Sequence, residues 1–541
     1  MTNTNLQQAL EAWGEILSNP VIEHPYAQAR YGPCTISTSH NIPAAIAPLS
    51  DEEVMECVKI ANQFRIPLYP ISTGNNWGYG SANPTCDNCV IVDLSQMNKI
   101  LELDPELGVV TLQPGVTQQQ LYEYLSRNKL PYMVPVTGAG PSCSLLGNAL
   151  ERGYGITPHS DHFSAVTHLE AVLADGSLYR PSLTELGGNE VDKLYKWGMG
   201  PYLDGLFTQA NLGIVTRMSI VLARKPESVQ AFFFSIKNDQ LLERAIIAIR
   251  EILQETAGLT GSINLMNTHR MLAMVAPYPK QQDKSTETLA PETIASEARK
   301  FNITAWTGVG AIYGNPAVVK AARKIIKGIL RPYTSRLSFV SATKLKRAKF
   351  FITSIPGMRG SMFAGLVDKL EQTLNIMEGK PSEIALQLAY WRSGNQHSLH
   401  KNPALDGCGL IWYSPLVPMK PDRVRCFTRM ASEICQSHGI EPLITLTSLS
   451  DRCFDSTIPI LYDKLDPDAA KRAEKCYFTL YERCGKEGFL PYRLGVHSMY
   501  LMNEESHTYS KIINRIKYAL DPNYCLAPGR YSSNNDLNRH L

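Results

Sequence analysis

The chain has 541 residues, of which 44% are hydrophobic and 19% are charged, and its formal net charge is only +3. This length predicts more than one hydrophobic core, and the small net charge argues against a large nucleic-acid interface. No apolar run approaches the length of a membrane span, and the N-terminus lacks the basic and apolar regions of a secretory signal. We therefore expect a cytoplasmic globular protein that binds neither nucleic acid nor a membrane.

The twelve cysteines are spread along the chain, and only Cys86 and Cys89 have C-x-x-C spacing. Because no second pair completes a zinc site, the pattern predicts no metal. Reduced thiols are typical of a cytoplasmic protein, which is the interpretation we prefer.

The first strongly patterned region begins at Asp51. Its patterns predict, in order, a helix with an acidic first turn, a buried strand that ends in a glycine-rich turn, two further strands, and a second helix with Thr117 as its N-cap. These elements cover residues 51–65, 66–71, 89–97, 108–117 and 117–129.

A second glycine-rich tract covers residues 136–163, and a hairpin with Asp175-Gly176 at its turn follows it. Beyond Pro226, long helical patterns alternate with apolar strands. The succession predicts an α+β protein. We expect a first domain over residues 1–227, a second domain over residues 228–488, and a segment over residues 489–541 that returns to the first domain.

The first glycine-rich turn, ISTGNNWGYG, lies at residues 71–80. It lacks the GxGxxG spacing of a Rossmann site. Its glycines Gly74, Gly78 and Gly80 tolerate positive φ and close approach of the backbone, and its backbone N–H groups and short polar side chains could cradle a pyrophosphate without a lysine. A glycine-rich hairpin that binds nothing is the alternative, and the turn alone does not decide between them.

Six tracts, taken together and in order, resemble the flavoprotein family of vanillyl-alcohol oxidase and p-cresol methylhydroxylase. The resemblance covers residues 40–225 and 488–530, and it is weak in between. The tracts are PISTGNNWGYGSANP, LQPGVT, SLLGNALERGYGITPHSDHF, EAVLADG, YKWGMGPYLDGLFTQANLGIVT and ALDPNYCLAPGR.

The resemblance implies a PCMH-type FAD-binding domain of two subdomains, with a cap domain whose antiparallel sheet is covered by helices. The FAD would lie between the subdomains, and the cap would cover its ring. The glycine turn would then hold the FAD pyrophosphate. The residues implied in cofactor binding are Ser72, Thr73, Gly74, Asn75, Asn76, Gly78, Gly147, Asn148, Gly153, Gly155, Thr157, Gly213, Ile214, Val215 and Arg530.

Arg530 would sit near the flavin, where a fixed cation favours the negative charge of the reduced ring; a surface salt bridge is the alternative. In the phenol-oxidising members of the family, two tyrosines and an arginine hold the phenolic oxygen as phenolate. The matching positions here are Tyr79, Tyr492 and Arg493. The resemblance therefore implies hydride removal from the benzylic carbon of a para-substituted phenol, although a carboxylate or an enol could be held by the same residues.

Two positions depart from the family pattern. Many relatives attach FAD covalently through a His or Tyr on a cap strand, and the register anchored on Ser414-Pro415 places Leu410 there. We therefore predict non-covalent FAD. Vanillyl-alcohol oxidase carries an acid near flavin N5, whereas residues 136–142 contain none. His497 could face the pocket, although a structural histidine is more common.

These departures keep two alternatives open: an FAD-dependent oxidase or dehydrogenase of specialised metabolism with a larger, non-phenolic alcohol as substrate, and a catalytically silent flavin-binding subunit. Oxygen, a cytochrome and a quinone are alternative electron acceptors. The resemblance also implies a homodimer or larger even assembly.

Overall fold

Helices and strands alternate along the parts of the chain that the computed structural model describes, which are residues 3–279, 288–354, 362–394, 399–502 and 506–532. The predicted α+β class is therefore confirmed. Within these ranges, no helix is both long enough and apolar enough to cross a lipid bilayer. Residues 533–541 of the predicted C-terminal segment lie outside the described residues.

A four-stranded sheet opens the fold, with the strand order β1-β2-β4-β3. The helix predicted from Asp51 is present, and the Ser50 side chain caps it by accepting a hydrogen bond from the backbone N–H of Glu53. The glycine-rich turn directly follows β3. Because β3 and β4 run parallel, the turn lies at the edge of the sheet where both strands end. The elements are α1 (Asn3–Ile16), β1 (Ile22–Glu23), α2 (Tyr26–Tyr31), β2 (Ala44–Ile46), α3 (Asp51–Phe64), β3 (Leu68–Ile71) and β4 (Val90–Asp93).

A five-stranded antiparallel sheet follows, with the order β5-β6-β10-β8-β9, and β7 pairs with β11 beside it. Thr117 and Gln120 form a reciprocal capping box at the start of the predicted second helix. The elements are β5 (Ile100–Asp104), β6 (Val109–Leu112), α4 (Gln118–Arg127), β7 (Tyr132–Met133), α5 (Leu145–Leu150), β8 (Val166–Val172), β9 (Leu178–Tyr179), α6 (Ser182–Glu185), β10 (Ile214–Val221) and β11 (Ala223–Arg224).

The segment predicted as the cap, residues 228–488, contains an eight-stranded antiparallel sheet. Its helical elements are α7 (Leu242–Glu255), α8 (Thr268–Val275), α9 (Pro291–Lys300), α10 (Pro316–Leu330), α11 (Ala342–Ser354), α12 (Met362–Met377), α13 (Pro421–Ser437) and α14 (Pro467–Lys486). Its strands are β12 (Ser228–Ile236), β13 (Asn264–Asn267), β14 (Trp306–Gly314), β15 (Arg336–Ser341), β16 (Cys408–Tyr413), β17 (Leu416–Pro418), β18 (Thr445–Ser448) and β19 (Cys453–Asp463).

The two faces of the cap sheet have different surroundings. Because side chains alternate along a strand, Leu265 and Leu446 point into a core shared with α7, α10, α13 and α14. Their neighbours Asn264, Met266 and Thr447 line a cavity on the opposite face. The sheet is thus the roof of that cavity.

After the cap, the chain returns to the first domain, and the last helix of the described residues is α15 (Thr508–Leu520). Leu68 of β3 donates its N–H to Cys525 O at 2.7 Å and accepts from Ala527 N at 2.7 Å. Lys517 is fully buried; its Nζ contacts Asp521 Oδ2 at 2.5 Å and donates to the carbonyls of Asn211 and Leu526. The ion pair holds the Lys517 side chain at the end of α15, and its hydrogen bond to Asn211 O fixes α15 to the first domain.

Replacing Lys517 by Met should leave the buried Asp521 carboxylate without its cation. Removing one partner of a buried ion pair typically costs about 3–5 kcal/mol, so we expect a loss of that size in the free energy of unfolding, measured by urea denaturation. The exposed Lys511 of the same helix supplies the control, Lys511→Met. Equal stabilities of the two variants would contradict the anchoring role of Lys517.

Candidate active site

A cavity of about 530 Å³ lies beneath the cap sheet. The first domain, the cap and the C-terminal segment all contribute to its wall, so residues far apart in sequence meet there. The predicted site residues in the wall are Ser72, Thr73, Gly74, Asn75, Asn76, Tyr79, Gly147, Asn148, Gly153, Gly155, Gly213, Ile214, Val215, Tyr492, Arg493 and Arg530.

The turn after β3 presents unused hydrogen-bond donors. Gly74 has φ +69°, a left-handed conformation that favours glycine. The backbone N–H groups of residues 73–76 donate to no residue that the structure describes. A run of free backbone donors in a tight turn is a cradle for phosphate oxygens, so the turn fits a pyrophosphate.

The helix α5 closes the other side of this cradle. Ser144 caps the helix by accepting a hydrogen bond from Gly147 N at 2.9 Å. A Cβ at Gly147 would lie 2.4 Å from Ser72 Oγ, so any larger residue there would have to displace the Ser72 hydroxyl. The two glycine-rich tracts of the sequence therefore frame one groove.

Two of the predicted cofactor-binding residues lie outside the described cavity wall. Gly78 packs under the cap, where a Cβ would meet the Trp412 ring at 2.2 Å, and its N–H donates to Thr35 Oγ1 at 2.7 Å. Thr157 is buried and also absent from the wall. Gly78 thus lies at the contact between the first domain and strand β16, and a role of Gly78 and Thr157 in cofactor binding stays a prediction.

The three residues predicted to hold a phenol come together. The Arg493 guanidinium lies 4.2 Å from the centre of the Tyr79 ring, and the Tyr79 hydroxyl is 3.0 Å from Ser414 Oγ. Tyr492 joins them from the start of the C-terminal segment. Burial raises the pKa of both Tyr79 and Tyr492 above 10, so both hydroxyls stay protonated near neutral pH and can donate hydrogen bonds.

Glu151 connects the two predicted arginines, a role that the sequence analysis missed. Its Oε2 lies 3.0 Å from Arg493 Nε, and its Oε1 contacts Arg530 Nη2. Arg530 also donates to Tyr69 OH at 3.1 Å, and Arg493 donates to Asn76 Oδ1 at 2.5 Å. Glu151 stands within the second quoted tract, but no local pattern shows that its side chain turns toward the arginines.

Asp455 is a second functional candidate that sequence reasoning missed. It is fully buried in β19, and neither carboxyl oxygen has a hydrogen-bond partner in the described chain. The backbone N–H of its neighbour Ser456 donates to Pro415 O at 2.9 Å, and the backbone N–H of Tyr492 donates to Ser414 O at 3.2 Å. Asp455 is close enough to Tyr79 and Tyr492 for its charge to act on both hydroxyls. Burial raises the pKa of Asp455 well above 3.8, which favours an uncharged carboxyl.

The two departures from the family pattern have clear positions. Leu410 of β16 is buried in the cavity wall, where leucine has no group that could bond the cofactor. Residues 136–139 also line the wall and supply no acid. His497 lies outside the described wall, its ring 4.6 Å from that of Tyr477, and burial lowers its pKa to about 4. A packed, uncharged histidine is the result.

The chain is similar in sequence to known proteins. The FAD binding domain family matches residues 42–182. The 1'-carboxy-chondrochloren decarboxylase of Chondromyces crocatus is 35% identical over 98% of each chain. The 4-cresol dehydrogenase [hydroxylating] flavoprotein subunit of Pseudomonas putida is 29% identical over 93% of this chain and 89% of its own.

Two solved structures have the same fold as this chain. Substrate-bound p-cresol methylhydroxylase superposes with a TM-score of 0.88 at 27% identity, covering 99% of this chain and 98% of its own. The 4-ethylphenol oxidase of Gulosibacter chungangensis, in complex with isoeugenol, has a TM-score of 0.87 at 24% identity over 98% of each chain, which supports the shared fold.

The fold and the site define an FAD-dependent oxidoreductase. The chain belongs to the vanillyl-alcohol oxidase/p-cresol methylhydroxylase family of FAD-linked enzymes, as the sequence resemblance implied. FAD as cofactor and the PCMH-type domain with its cap are likewise confirmed.

Acid precipitation should release the flavin into the supernatant, because Leu410 cannot form a covalent bond to it. Among the described residues, no histidine lines the cavity, and the tyrosines that line it do not belong to the cap strand that carries the bond in relatives. The measurement is the flavin absorbance of the supernatant and the pellet after precipitation with trichloroacetic acid. A yellow pellet that keeps its colour after washing would contradict non-covalent binding.

Asp455→Asn tests whether this carboxyl is protonated in the folded protein. A carboxyl whose pKa is raised by folding contributes full stability below its unfolded pKa, and that stability is lost as the pH rises toward the folded pKa. Asparagine does not ionise, so the variant does not lose stability in this way as the pH rises. Its free energy of unfolding relative to wild type should therefore increase above about pH 4, by up to about 1.4 kcal/mol per pH unit.

Urea denaturation between pH 5 and pH 8 measures this difference. The exposed Asp468 supplies the control, Asp468→Asn, whose difference from wild type should stay nearly constant. A constant difference for Asp455→Asn as well would show that Asp455 is ionised in the folded protein.

Proposed function

We propose that the protein removes hydride from the benzylic carbon of a para-substituted phenol. The observation that carries the proposal is the meeting of Tyr79, Tyr492 and Arg493 at one wall of the cavity. Two protonated hydroxyls and one guanidinium form a binding site for a small oxyanion, and each of them contacts or lines the same space.

Tyr79, Tyr492 and Arg493, together called the phenol clamp, would lower the pKa of a bound phenol. A phenol has a pKa near 10 in water and is mostly neutral at pH 7. The Arg493 cation and the hydrogen bonds from Tyr79 and Tyr492 favour the phenolate. The electrons of the phenolate move across the ring and help to expel hydride from the para benzylic carbon, which leaves a quinone methide. Bound FAD would supply the hydride acceptor.

The rest of the cavity positions the cofactor. The free N–H groups of residues 73–76 would hold the pyrophosphate, and residues 213–215 would contact the adenosine end. Arg530 would hold positive charge near the ring, where hydride transfer adds negative charge. Leu410 and Trp412 of β16 would help to exclude water from the reacting carbon.

The names of two similar proteins support a phenolic substrate, since one is a 4-cresol dehydrogenase subunit and the other a p-cresol methylhydroxylase. The cytoplasmic location, the small aromatic substrate and the assembly into a homodimer belong to the same proposal.

Oxidation coupled to decarboxylation is a second candidate, favoured by the similarity to the 1'-carboxy-chondrochloren decarboxylase. If the carbon next to the benzylic carbon carries a carboxylate, the quinone methide can accept the electrons of the bond to that group. Carbon dioxide then leaves, a carbon–carbon double bond forms beside the ring, and the ring oxygen returns to phenolate. This route keeps the phenol clamp and also fits the alternative of a larger substrate from specialised metabolism.

Arg493→Gln should slow flavin reduction by 4-ethylphenol about a hundredfold, the usual cost of losing one preorganised group that stabilises a reacting oxyanion. Anaerobic stopped-flow absorbance of the flavin is the measurement. The exposed Arg331 supplies the matched control, Arg331→Gln, whose flavin should be reduced at the wild-type rate.

An unchanged rate in the Arg493 variant, with FAD bound in normal amount, would refute the phenol clamp. If the flavin absorbance of wild type is bleached only by alcohols without a phenol group, the alternative of a non-phenolic substrate replaces the proposal.

A further inference from the structure

Arg270 places an additional cation in the wall of the same cavity. It comes from the first turn of α8 in the cap, whereas Arg493 and Arg530 come from the C-terminal segment. The hydride-transfer proposal gives Arg270 no role.

The hydrogen-bond donors of Arg270 are only partly used. Its Nε donates to Thr445 Oγ1 at 3.0 Å. Its Nη1 is buried and has no hydrogen-bond partner among the described residues. Burial lowers the pKa of Arg270 to about 10, so the guanidinium is still charged at neutral pH.

No carboxylate of the described chain forms an ion pair with Arg270. The acid beside the neighbouring residue His269 is Glu441, and it has other contacts: its Oε2 lies 3.7 Å from His269 Nε2 and its Oε1 accepts a hydrogen bond from Leu289 N at 2.7 Å. Arg493 and Arg530, by contrast, both pair with the Glu151 carboxylate.

A buried cation without a counter-ion is costly in free energy. Part of that cost is offset when a ligand brings an anion to it, so an uncompensated arginine in a cavity wall indicates an anion site. The planar fork of a guanidinium suits the two oxygens of a carboxylate.

The cap sheet supplies further polar groups beside Arg270. Asn264 pairs with Thr447 in the strand register, and Met266 pairs with Thr445, so all four side chains share the cavity face of the sheet. Asn264 Oδ1 is buried without a partner in the described chain. Because the two ends of an amide can be exchanged by rotation, Asn264 can present its NH₂ group to an anion.

We infer that Arg270 binds a carboxylate group of the substrate, with Thr445 fixing the guanidinium and Asn264 as a second donor. The inference rests on the proposed oxidation of a phenol in this cavity and adds its substrate class: a para-substituted phenol whose side chain carries a carboxylate. A substrate of this class would be bound at two points, the phenolic oxygen by the clamp and the carboxylate by the cap.

A pair of non-reacting ligands tests the inference by binding alone. In 4-hydroxyphenoxyacetate an ether oxygen replaces the benzylic carbon, so there is no hydride to remove, and 4-hydroxyphenoxyacetamide is its neutral counterpart. Isothermal titration calorimetry of the FAD-loaded enzyme gives both affinities. We expect wild type to bind the acid at least tenfold more tightly than the amide.

Arg270→Gln should weaken binding of the acid about 10- to 100-fold, the usual range for losing a hydrogen-bonded charge, and should change binding of the amide less than twofold. Arg270→Lys should retain part of the preference, since it keeps the charge without the fork. The exposed Arg299 supplies the matched control, Arg299→Gln, in which both affinities should equal those of wild type.

The clamp variant Arg493→Gln separates this inference from the proposed function, because it should weaken both ligands alike. If Arg493→Gln changed neither affinity while Arg270→Gln removed the preference for the acid, the carboxylate site would stand and the phenol clamp would fall. Equal affinities of wild type for acid and amide would overturn the carboxylate site, whatever the variants show. A loss of bound FAD in both Arg270→Gln and Arg270→Lys would also overturn the carboxylate site, since Arg270 would then bind the cofactor.

Discussion

The Glu151 carboxylate between Arg493 and Arg530 is the interaction on which the site depends. Two guanidinium groups in a poorly hydrated wall repel each other, and a carboxylate between them turns that repulsion into attraction. Glu151 follows helix α5 of the first domain, while both arginines belong to the C-terminal segment. The ion-pair network therefore joins two distant parts of the chain at the place where the ring of the cofactor and the substrate would meet.

The same network sets the charge of the clamp. Two cations and one carboxylate leave a net positive charge, which favours a phenolate. The hydroxyls of Tyr79 and Tyr492 keep their protons because burial raises their pKa. Burial acts on Asp455 in the same direction. An ionised Asp455 near the tyrosines would oppose the proposed phenolate, so burial that keeps Asp455 uncharged would favour binding of a phenol.

Sequence predicted the parts of this site that have a local pattern. The turn at residues 72–76 and the tract around Gly147 stand out because tight turns and close backbone contacts require glycine, and their order along the chain resembles one family. Gly78 belongs to the same turn, yet it packs against Trp412 of the cap. A glycine run shows that something comes close, but it does not say whether that is a cofactor or another part of the protein.

The residues that sequence missed depend on contacts between distant parts of the chain. Glu151 meets arginines more than 300 residues further along, and nothing near it in sequence distinguishes it from a surface acid. The alternation in β19 places Asp455 and Thr457 on one face of a strand, but only the packing of the clamp shows that Asp455 has no access to water. Arg270 likewise looks like an ordinary residue of a helix start, and only the structure shows that no carboxylate among the described residues pairs with it.

Arg270 and the clamp differ in how their charges are balanced, and this difference determines what each can bind. Glu151 holds Arg493 of the clamp in place before any ligand arrives, so the position of this cation is set in advance and would favour an oxyanion that forms when a neutral phenol binds. Arg270 lacks such a partner in the described chain, so it gains most from a ligand that is already an anion. Because Arg270 belongs to the cap and Arg493 to the C-terminal segment, a substrate with both groups would connect the cap to the rest of the enzyme. Its benzylic carbon would then be positioned from both ends, which a phenol without a carboxylate cannot achieve.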